Sequence, residues 1–344
     1  MAVLLLTPCL HEAAFGGVQK AGQVAWEGLR APRQMVSYGK ACTLPGRASE
    51  SERCFSSKWR AALGAAAWRG RYPVTLIWHI GLLKALPLVQ TRGSRVALFL
   101  HGIECWQRFH AWMQALLGRV DLFLSNSEYT WRRFVECNPR WREAAHRTVS
   151  LGIEEPARTA PAPGATPAAL ITGRMERRED YKGHRQLIAA WPEVVRRVPA
   201  AELWIVGDGD LRPELERLAG RGVRFFGAVP DADKERLLAA ARCLAMPSRG
   251  EGFGLVYLEA MRFGRPCLVS DADAGREVIA PPEAGLAVNP DDRAALADAL
   301  VRLLMPGAAW DAWSARARQR YERHFTAAHY QTRLRDALTS LGSA

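Results

Sequence analysis

Short apolar runs alternate along this chain with longer segments in which apolar residues recur every three or four positions. Val3–Thr7, Val74–His79 and Val96–Leu100 are apolar throughout most of their length, which predicts strands buried on both faces. The segments between them, such as 19–30, have the period of amphipathic helices. Strands separated by helices are typical of a parallel sheet, so the pattern predicts an α/β fold.

The alternation resumes after a proline- and alanine-rich stretch with no hydrophobic period, Glu154 to Pro167. It therefore predicts two doubly wound, Rossmann-like domains that face each other across a cleft and bind ligands beyond the carboxyl ends of their strands. The predicted segments are a first domain, a linker, a second domain and a helical tail, over 1–155, 156–168, 169–310 and 311–344. We expect the tail to pack back on the first domain.

Composition and charge narrow the function classes. The chain has 344 residues, of which 49% are hydrophobic and 24% charged, as in ordinary globular proteins. No stretch approaches the ~20 apolar residues of a membrane helix, so we expect a cytoplasmic protein. The net charge of +12 is uneven, because residues 1–155 hold 20 lysines and arginines against 11 acidic residues. A basic first half favours an anionic partner or surface.

The densest chemical signal is the glycine-rich segment Arg249 to Glu259. It follows a predicted strand, Cys243–Met246, and leads into a predicted helix, whose first amides are free to bind an anion. Glu251 before the helix and Glu259 on it can accept hydrogen bonds from sugar hydroxyls. The alternative is an ordinary helix with acidic residues near its start, where the helix dipole favours them.

Two cations occur in the first loop of the same predicted domain. Arg174 follows the predicted strand Ala169–Thr172, and Lys182 precedes the next helix. An arginine fork and a lysine point charge are both suited to binding a diphosphate. The alternative is a solvated basic loop, because further arginines lie nearby in the sequence.

Many segments of 170–292 occur in the order typical of the retaining glycosyltransferases of family 4, which the chain therefore resembles. The spacing of Glu251 and Glu259 matches that family's E-x7-E motif. One departure is that seven residues separate Arg174 from Lys182, more than in many members. The other matching segments are Gly173-Arg174, Tyr181-Lys182-Gly183-His184, Val206 to Gly209, Phe226 to Val229, Ser270 to Ile279 and Gly285 to Pro290. Weaker matches in the first half are Gly16-Gly17-Val18, His101 to Glu104 and Ser125-Asn126-Ser127.

This resemblance implies a GT-B fold and a hexosyltransferase that uses a UDP- or GDP-sugar. Its product would be a glycan or glycolipid, made with retention at the anomeric carbon, for example in cell-surface polysaccharide synthesis. The implied catalytic residues are Glu251, His101, Arg174 and Lys182. The implied donor-binding residues are Gly17, Val229, Gly252, Phe253, Gly254, Leu255, Val256 and Glu259. No metal or other cofactor is implied.

Three D-x-D triplets could suggest a metal that bridges phosphates. They begin at Asp208, Asp231 and Asp271, in predicted turns and at a helix start, where capping is the favoured role. Seven scattered cysteines without a C-x-x-C pair predict reduced thiols rather than a disulfide framework or a zinc site. A histidine at a strand end, such as His101, is more often structural, and only the family resemblance favours a catalytic role.

Other function classes fit less well. A dinucleotide oxidoreductase needs G-x-G-x-x-G directly after a strand, and Gly207 and Gly209 supply only two of the glycines. A nucleotide-sugar epimerase or a glycan phosphorylase of similar architecture stays open as an alternative. A basic nucleic-acid-binding protein is compatible with the charge, but no nucleic-acid motif occurs, so we expect no such partner.

The segment around Trp59 suggests a surface role. Lys58 to Arg71 interleaves tryptophans and leucines with basic residues and predicts a helix, Trp59–Arg71, after a polar loop, Lys40 to Ser57. Such a helix could lie on an anionic bilayer, as a peripheral protein at the inner face of the membrane. The alternative is a domain helix with a solvated basic face.

Overall fold

In a computed structural model the chain folds into two compact units. The structure describes residues 2–10, 16–39, 51–90, 93–155 and 161–342. One unit comprises Met1–Ile153 and Ala327–Ala344, and the other comprises Glu154–Thr326. The predicted boundary between the second domain and the tail, at residue 310, differs from this division, because the second unit ends at Thr326.

The first unit is built on a seven-stranded parallel sheet with the order β3-β2-β1-β4-β5-β6-β7. The central strands are mostly apolar and buried, as expected for strands of a parallel sheet covered on both faces. The strands are β1 (Val3–Pro8), β2 (Arg33–Tyr38), β3 (Glu52–Phe55), β4 (Val74–Ile77), β5 (Arg95–Leu100), β6 (Leu122–Ser125) and β7 (His146–Thr148).

The second unit is built on a six-stranded parallel sheet with the order β10-β9-β8-β11-β12-β13. In each sheet the strand order reverses beside the strand that comes first in the sequence, β1 or β8. Open α/β sheets bind ligands at such a point. The strands are β8 (Ala168–Thr172), β9 (Glu202–Val206), β10 (Val223–Gly227), β11 (Cys243–Met246), β12 (Cys267–Ser270) and β13 (Gly285–Val288).

Most successive strands within each unit are connected by a helix, and further helices follow the last strand. In the first unit they are α1 (Gly17–Gly28), α2 (Lys58–Ala66), α3 (Leu86–Val89), α4 (Ala111–Leu117) and α5 (Glu128–Cys137). In the second unit they are α6 (His184–Arg197), α7 (Arg212–Leu218), α8 (Asp231–Ala240), α9 (Leu255–Arg262), α10 (Gly275–Ile279), α11 (Arg293–Leu304) and α12 (Ala308–His324). The last helix, α13 (Ala327–Gly342), belongs to the first unit.

The chain terminus is anchored on the first unit through α13. The Tyr330 hydroxyl lies 3.3 Å from the Ala21 carbonyl oxygen of α1 and donates to it. Gly28 lies so close to Gln331 that a Cβ at position 28 would come within 2.3 Å of the Gln331 side chain. Of the predicted tail, 311–344, this last helix is the part that joins the first unit, whereas α12 lies in the second.

The structure confirms the strands predicted at 3–7, 96–100, 169–172 and 243–246, and it corrects three expectations. Part of the predicted loop Lys40 to Ser57 lies outside the described residues, and its end forms β3, an edge strand. Because β3 is mostly exposed, it lacks the apolar alternation that predicts a strand. The predicted helix Trp59–Arg71 ends at Ala66 and continues as turns.

The third correction concerns the thiols. Cys54 is disulfide-bonded, which the scattered spacing of the cysteines did not predict. The free cysteines among the described residues are Cys9, Cys105, Cys137, Cys243 and Cys267. Of the described residues, no helix combines the length and the apolar character that crossing a membrane requires.

Candidate functional site

The loop after β8 is held against the loop after β9. The Gly173 amide donates to the Val206 carbonyl over 3.0 Å. Gly207 has a φ of +132°, and a Cβ there would lie 2.0 Å from the Gly173 carbonyl oxygen. Only glycine fits this close approach of two backbones. The result is a fixed position for Arg174 at the carboxyl end of β8.

A short 3₁₀ segment, Arg177–Lys182, brings Lys182 back to the carboxyl end of β8. Its side chain passes over Gly173, where a Cβ would lie 3.1 Å from Nζ. The Lys182 ammonium lies 2.7 Å from Glu179 Oε2, and Arg174 pairs with the other oxygen of the same carboxylate. The structure therefore brings the two predicted cations together, with an acidic residue that the sequence analysis did not single out.

The glycine-rich loop after β11 packs directly on this cation loop. The Arg249 amide donates to the Tyr181 carbonyl over 2.9 Å. A Cβ at Gly250 would lie 2.7 Å from the Tyr181 ring, and one at Gly183 would lie 2.8 Å from the Pro247 ring. Glycines thus let the two loops touch, on neighbouring strands β8 and β11.

Glu251 lies half-buried at the end of this loop. Burial raises the pKa of its carboxyl, Lys182 lowers that pKa, and the Glu179 charge raises it again. Arg249 and Gly250, just before Glu251, contact Tyr181, so the loop that carries Glu251 lies against the segment that carries Glu179 and Lys182. The structure therefore gathers Arg174, Lys182 and Glu251 at one edge of the second sheet.

Asp273 holds the Glu251 backbone in place. Its Oδ2 accepts from the Glu251 amide at 3.2 Å, and its Oδ1 accepts from the Gly275 amide at 2.9 Å. The Ala274 amide in turn donates to the Glu251 carbonyl. In the sequence, Asp273 belongs to a D-x-D triplet with a predicted turn role, and only the packing of the loop after β12 against the loop after β11 reveals this contact.

Burial raises the pKa of Asp273 to about 8, and the neighbouring Glu251 charge contributes. Because this pKa lies above that of an aspartate in an unfolded chain, the folded state binds the proton between about pH 4 and pH 8. The protonated Asp273 carboxyl therefore stabilises the folded state at low pH, and this stabilisation is lost as the pH rises through about 8. We therefore expect the unfolding free energy of the native protein to fall by about 2 kcal/mol as the pH rises from about 6 to about 9.

Asp273→Asn should remove most of that pH dependence, which chemical denaturation at several pH values would measure. Asp271→Asn is the matched control, because Asp271 is exposed two residues away. The control should follow the native protein at every pH. If Asp273→Asn follows it too, the raised pKa is wrong.

The start of α9 presents backbone amides beside Glu251. Gly254 precedes the helix in the left-handed region, with φ of +85°, and a Cβ there would lie 2.3 Å from the Tyr257 ring. The buried Tyr257 hydroxyl donates to the Met246 carbonyl over 3.2 Å, which ties the helix to β11. The amides of Leu255 and Val256 have no acceptor within the helix, so they can bind an anion.

Glu259 lies one turn further along α9 and is paired in this structure. Lys234 of α8 places its ammonium 3.0 Å from Glu259 Oε2. Val229, half-buried, follows β10 two residues before α8. The remaining predicted donor-binding residues of this unit, Gly252 and Phe253, are buried in the loop before α9.

Gly17 and His101 belong to the first unit, where Trp78 links them. The Trp78 indole Nε1 donates to the Val18 carbonyl over 2.9 Å, beside Gly17. The Trp78 carbonyl oxygen lies 2.6 Å from His101 Nε2. These residues follow β1, β4 and β5, which are neighbours in the sheet. The fully buried Trp78 was missed because it lies within the predicted strand Val74–His79, where a tryptophan is ordinary core material.

The His101 ring is buried and stacks on Phe99 at 4.7 Å between ring centroids. Burial lowers the pKa of His101 to about 4, so the ring is neutral near pH 7. Because a carbonyl accepts from Nε2, that nitrogen carries the proton and Nδ1 is the acceptor. Glu104 Oε1 accepts from the His101 and Gly102 amides, which fixes this strand end. The contacts are compatible with both the structural and the catalytic interpretation.

Aspartates of the three D-x-D triplets accept hydrogen bonds from backbone amides or lie at a helix start. Asp208 Oδ1 accepts from the Gly209 amide, and Asp210 Oδ1 accepts from the Arg177 amide. Asp231 and Asp233 lie in the first turn of α8, where acidic residues favour the helix dipole. In the part of the chain that the structure describes, no group of three or more histidine, cysteine or acidic side chains could hold a metal ion.

Comparison with known proteins matches this second unit to a family. Residues 166–305 match the model of the family "Glycosyl transferases group 1". The chain is 40% identical over 159 residues to a phosphatidyl-myo-inositol mannosyltransferase of Mycolicibacterium smegmatis, covering 45% of this chain and 40% of that protein. It is 31% identical over 237 residues to a GDP-mannose-dependent monoacylated alpha-(1-6)-phosphatidylinositol monomannoside mannosyltransferase of Corynebacterium glutamicum, covering 62% of each. The chain thus spans less than two thirds of these curated relatives.

Solved structures resemble the whole chain. Anabaena Alr3699/HepE in complex with UDP superposes with a TM-score of 0.78 at 17% identity, covering 99% of this chain and 100% of that one. Sucrose-phosphate synthase of Thermosynechococcus elongatus superposes with a TM-score of 0.76 at 20% identity, covering all of both chains. Together with the two parallel sheets, this confirms the predicted two-domain α/β fold of the GT-B type.

Proposed function

We propose that this protein is a retaining hexosyltransferase that uses a UDP- or GDP-sugar, because residues 166–305 match the model of the group 1 glycosyl transferases. The observation that carries the proposal is the meeting of Arg174 and Lys182 at the carboxyl end of β8, with the loop that carries Glu251 packed against their segment from the end of β11. Two cations, a carboxylate and the free amides of a helix start are what a sugar attached to a diphosphate requires.

The chemistry follows from the charge that develops during transfer. As the bond between sugar and diphosphate breaks, negative charge grows on the departing diphosphate. Arg174, Lys182 and the amides of Leu255 and Val256 would meet that charge, which is the largest contribution such sites make to catalysis. The acceptor hydroxyl would attack the anomeric carbon from the face that the diphosphate leaves and would give its proton to the departing diphosphate, which retains the anomeric configuration.

The other predicted residues receive supporting roles. Glu251 would accept hydrogen bonds from the hydroxyls of the donor sugar, with Gly252, Phe253 and Gly254 beside it. Glu259 would hold the ribose, in exchange for its present partner Lys234, and Val229 would border the base. From the first unit we propose that Gly17 and His101 contact the donor phosphate and sugar. His101 would do so as a neutral ring, because its pKa is about 4.

The relatives suggest a donor and an acceptor class. One is named as GDP-mannose-dependent and as acting on a phosphatidylinositol monomannoside, and another is an O-antigen chain mannosyltransferase of Escherichia coli. We therefore propose that this protein transfers mannose or a related hexose to a lipid-linked or glycan acceptor in cell-surface synthesis. No metal takes part in the proposed mechanism.

A panel of UDP- and GDP-sugars tests the proposal. We expect one nucleotide sugar to raise the melting temperature and to be consumed in the presence of a glycolipid acceptor extract, with transfer unaffected by a chelator. Epimerised sugar without transfer would favour the epimerase alternative. Binding of RNA but of no nucleotide sugar would overturn the proposal.

We propose that an exposed patch on the first unit contacts the membrane. Trp59 and Leu63 are 65% and 67% exposed, and they share one face of α2 because they are four residues apart. Lys58 and Arg60 are exposed beside them. Trp112, 51% exposed, carries the Lys84 ammonium 5.1 Å from its ring centroid. Aromatic anchors flanked by basic residues are suited to an anionic lipid surface.

Replacing Trp59 and Leu63 together with serine should weaken binding to vesicles that contain anionic lipid by about tenfold, because partial burial of the two side chains supplies at least that free energy. Sedimentation with vesicles at low salt measures this. Leu218→Ser is the control, because Leu218 is 55% exposed on the second unit. Equal binding of all three proteins would exclude the patch as the membrane contact.

A further inference from the structure

The two cations of the proposed diphosphate site already hold an anion that belongs to the chain. Glu179 pairs with Arg174 through Oε1 and with Lys182 through Oε2, the latter at 2.7 Å. The Glu179 and Lys182 side chains are only 9% and 11% exposed. An ion pair this enclosed is screened far less by salt than a surface pair.

The segment that carries Glu179 is tied down on both sides. The Arg177 amide donates to Asp210, and Arg185 pairs with Asp180 and Glu214. Further along, the Tyr181 carbonyl accepts from the Arg249 amide. Because the backbone is anchored at these points, the Glu179 carboxylate stays near the cations when a ligand arrives and does not leave with a moving loop.

We propose that Glu179 is a built-in counter-ion of the diphosphate site, which occupies Arg174 and Lys182 in the empty protein and weakens the binding of the nucleoside diphosphate product. This inference rests on the proposed function. Arg174, Lys182 and Glu179 together carry a single net positive charge in the empty protein. A bound diphosphate must share the cations with Glu179 or displace it from them.

Glu179 weakens most the binding of the ligand with the larger negative charge. A nucleoside diphosphate has a free terminal phosphate with roughly one more negative charge than the same phosphate esterified to a sugar. Repulsion by Glu179 therefore weakens the product more than the donor. The counter-ion makes the site selective for donor over product and speeds product release, while Arg174 and Lys182 stay aligned when the site is empty.

The test is calorimetric titration of the native protein and Glu179→Gln with UDP and GDP. The variant keeps the size of the side chain and removes its charge, so we expect the nucleoside diphosphate to bind about tenfold more tightly, as removal of one nearby charge implies. The unphosphorylated nucleoside should bind both proteins equally. Glu176→Gln is the matched control, because Glu176 pairs with the exposed Arg178 at the edge of the same segment. It should leave every affinity unchanged.

If Glu179→Gln is unstable because Arg174 and Lys182 repel each other, a second pair of variants provides the test. Arg174→Gln with Glu179→Gln restores the net charge of the native site, and it should bind the diphosphate at least about tenfold more tightly than Arg174→Gln alone. Unchanged or weaker diphosphate binding when Glu179 is neutralised, in either background, would overturn the inference while the proposed function stands. Binding of neither UDP nor GDP by the native protein would overturn both.

Discussion

Replacing Lys182 with alanine is expected to lower the rate of the proposed sugar transfer by about 100- to 1000-fold, the usual effect of removing one group that stabilises a departing anion. Lys182 is the most enclosed cation of the site, and its ammonium lies against Glu179 and near Glu251. Its loss would remove positive charge where the diphosphate departs and would leave Glu179 opposing the ligand. Both effects act in the same direction.

Arg178→Ala is the control for Lys182→Ala. Arg178 lies in the same segment but is 73% exposed and pairs with Glu176, so its loss should change the transfer rate by less than about twofold. Steady-state transfer and nucleoside diphosphate affinity should be measured on both variants. If Lys182→Ala keeps native diphosphate affinity, Lys182 does not bind the phosphates.

Glu251→Gln is the second variant with a large expected effect. We expect transfer to fall by about 100-fold while nucleoside diphosphate affinity changes by less than about threefold. The reason is that the contacts which hold this loop, from Asp273 and Ala274, go to the Glu251 backbone and survive the substitution. The side chain alone changes, and with it the hydrogen bonds to the donor sugar.

The control for Glu251→Gln is Glu235→Gln, since Glu235 pairs with Arg262 on the same unit and has no part in the proposed site. It should transfer at the native rate. An undiminished rate for Glu251→Gln would remove Glu251 from the mechanism. Equal loss of transfer and diphosphate affinity would instead assign Glu251 to holding the nucleotide.

The fold was predictable because its signals are local. The run Val96–Leu100 contains no polar residue, so it predicts a strand buried on both faces, and these five residues of β5 are buried. The helix predicted after the glycine-rich loop is α9, because Gly254 and the apolar positions after it mark its start. The edge strand β3 was missed, because its residues are largely exposed and its pairing with β2 comes from tertiary structure.

The candidate site was predictable in part. Arg174, Lys182 and Glu251 are identified by their places at strand ends and by the resemblance of their spacing to a family. Glu179 was not identified, since an acidic residue three positions before Lys182 looks in the sequence like a solvated helix charge. Asp273 was assigned to a turn, because its contact with Glu251 joins two loops 22 residues apart.

The sequence by itself determined the two parallel α/β units, the basic first half and the loops that carry the candidate chemistry, because hydrophobic period, glycine placement and charge are properties of short stretches. Only the tertiary structure decided which charges meet. It set Glu179 between Arg174 and Lys182, Asp273 beneath Glu251, and Trp78 between Gly17 and His101. The physical reason is that parallel strands bring their carboxyl ends to one edge of a sheet, where loops distant in the chain pack together. The ionisation of each carboxyl or imidazole there depends on that packing.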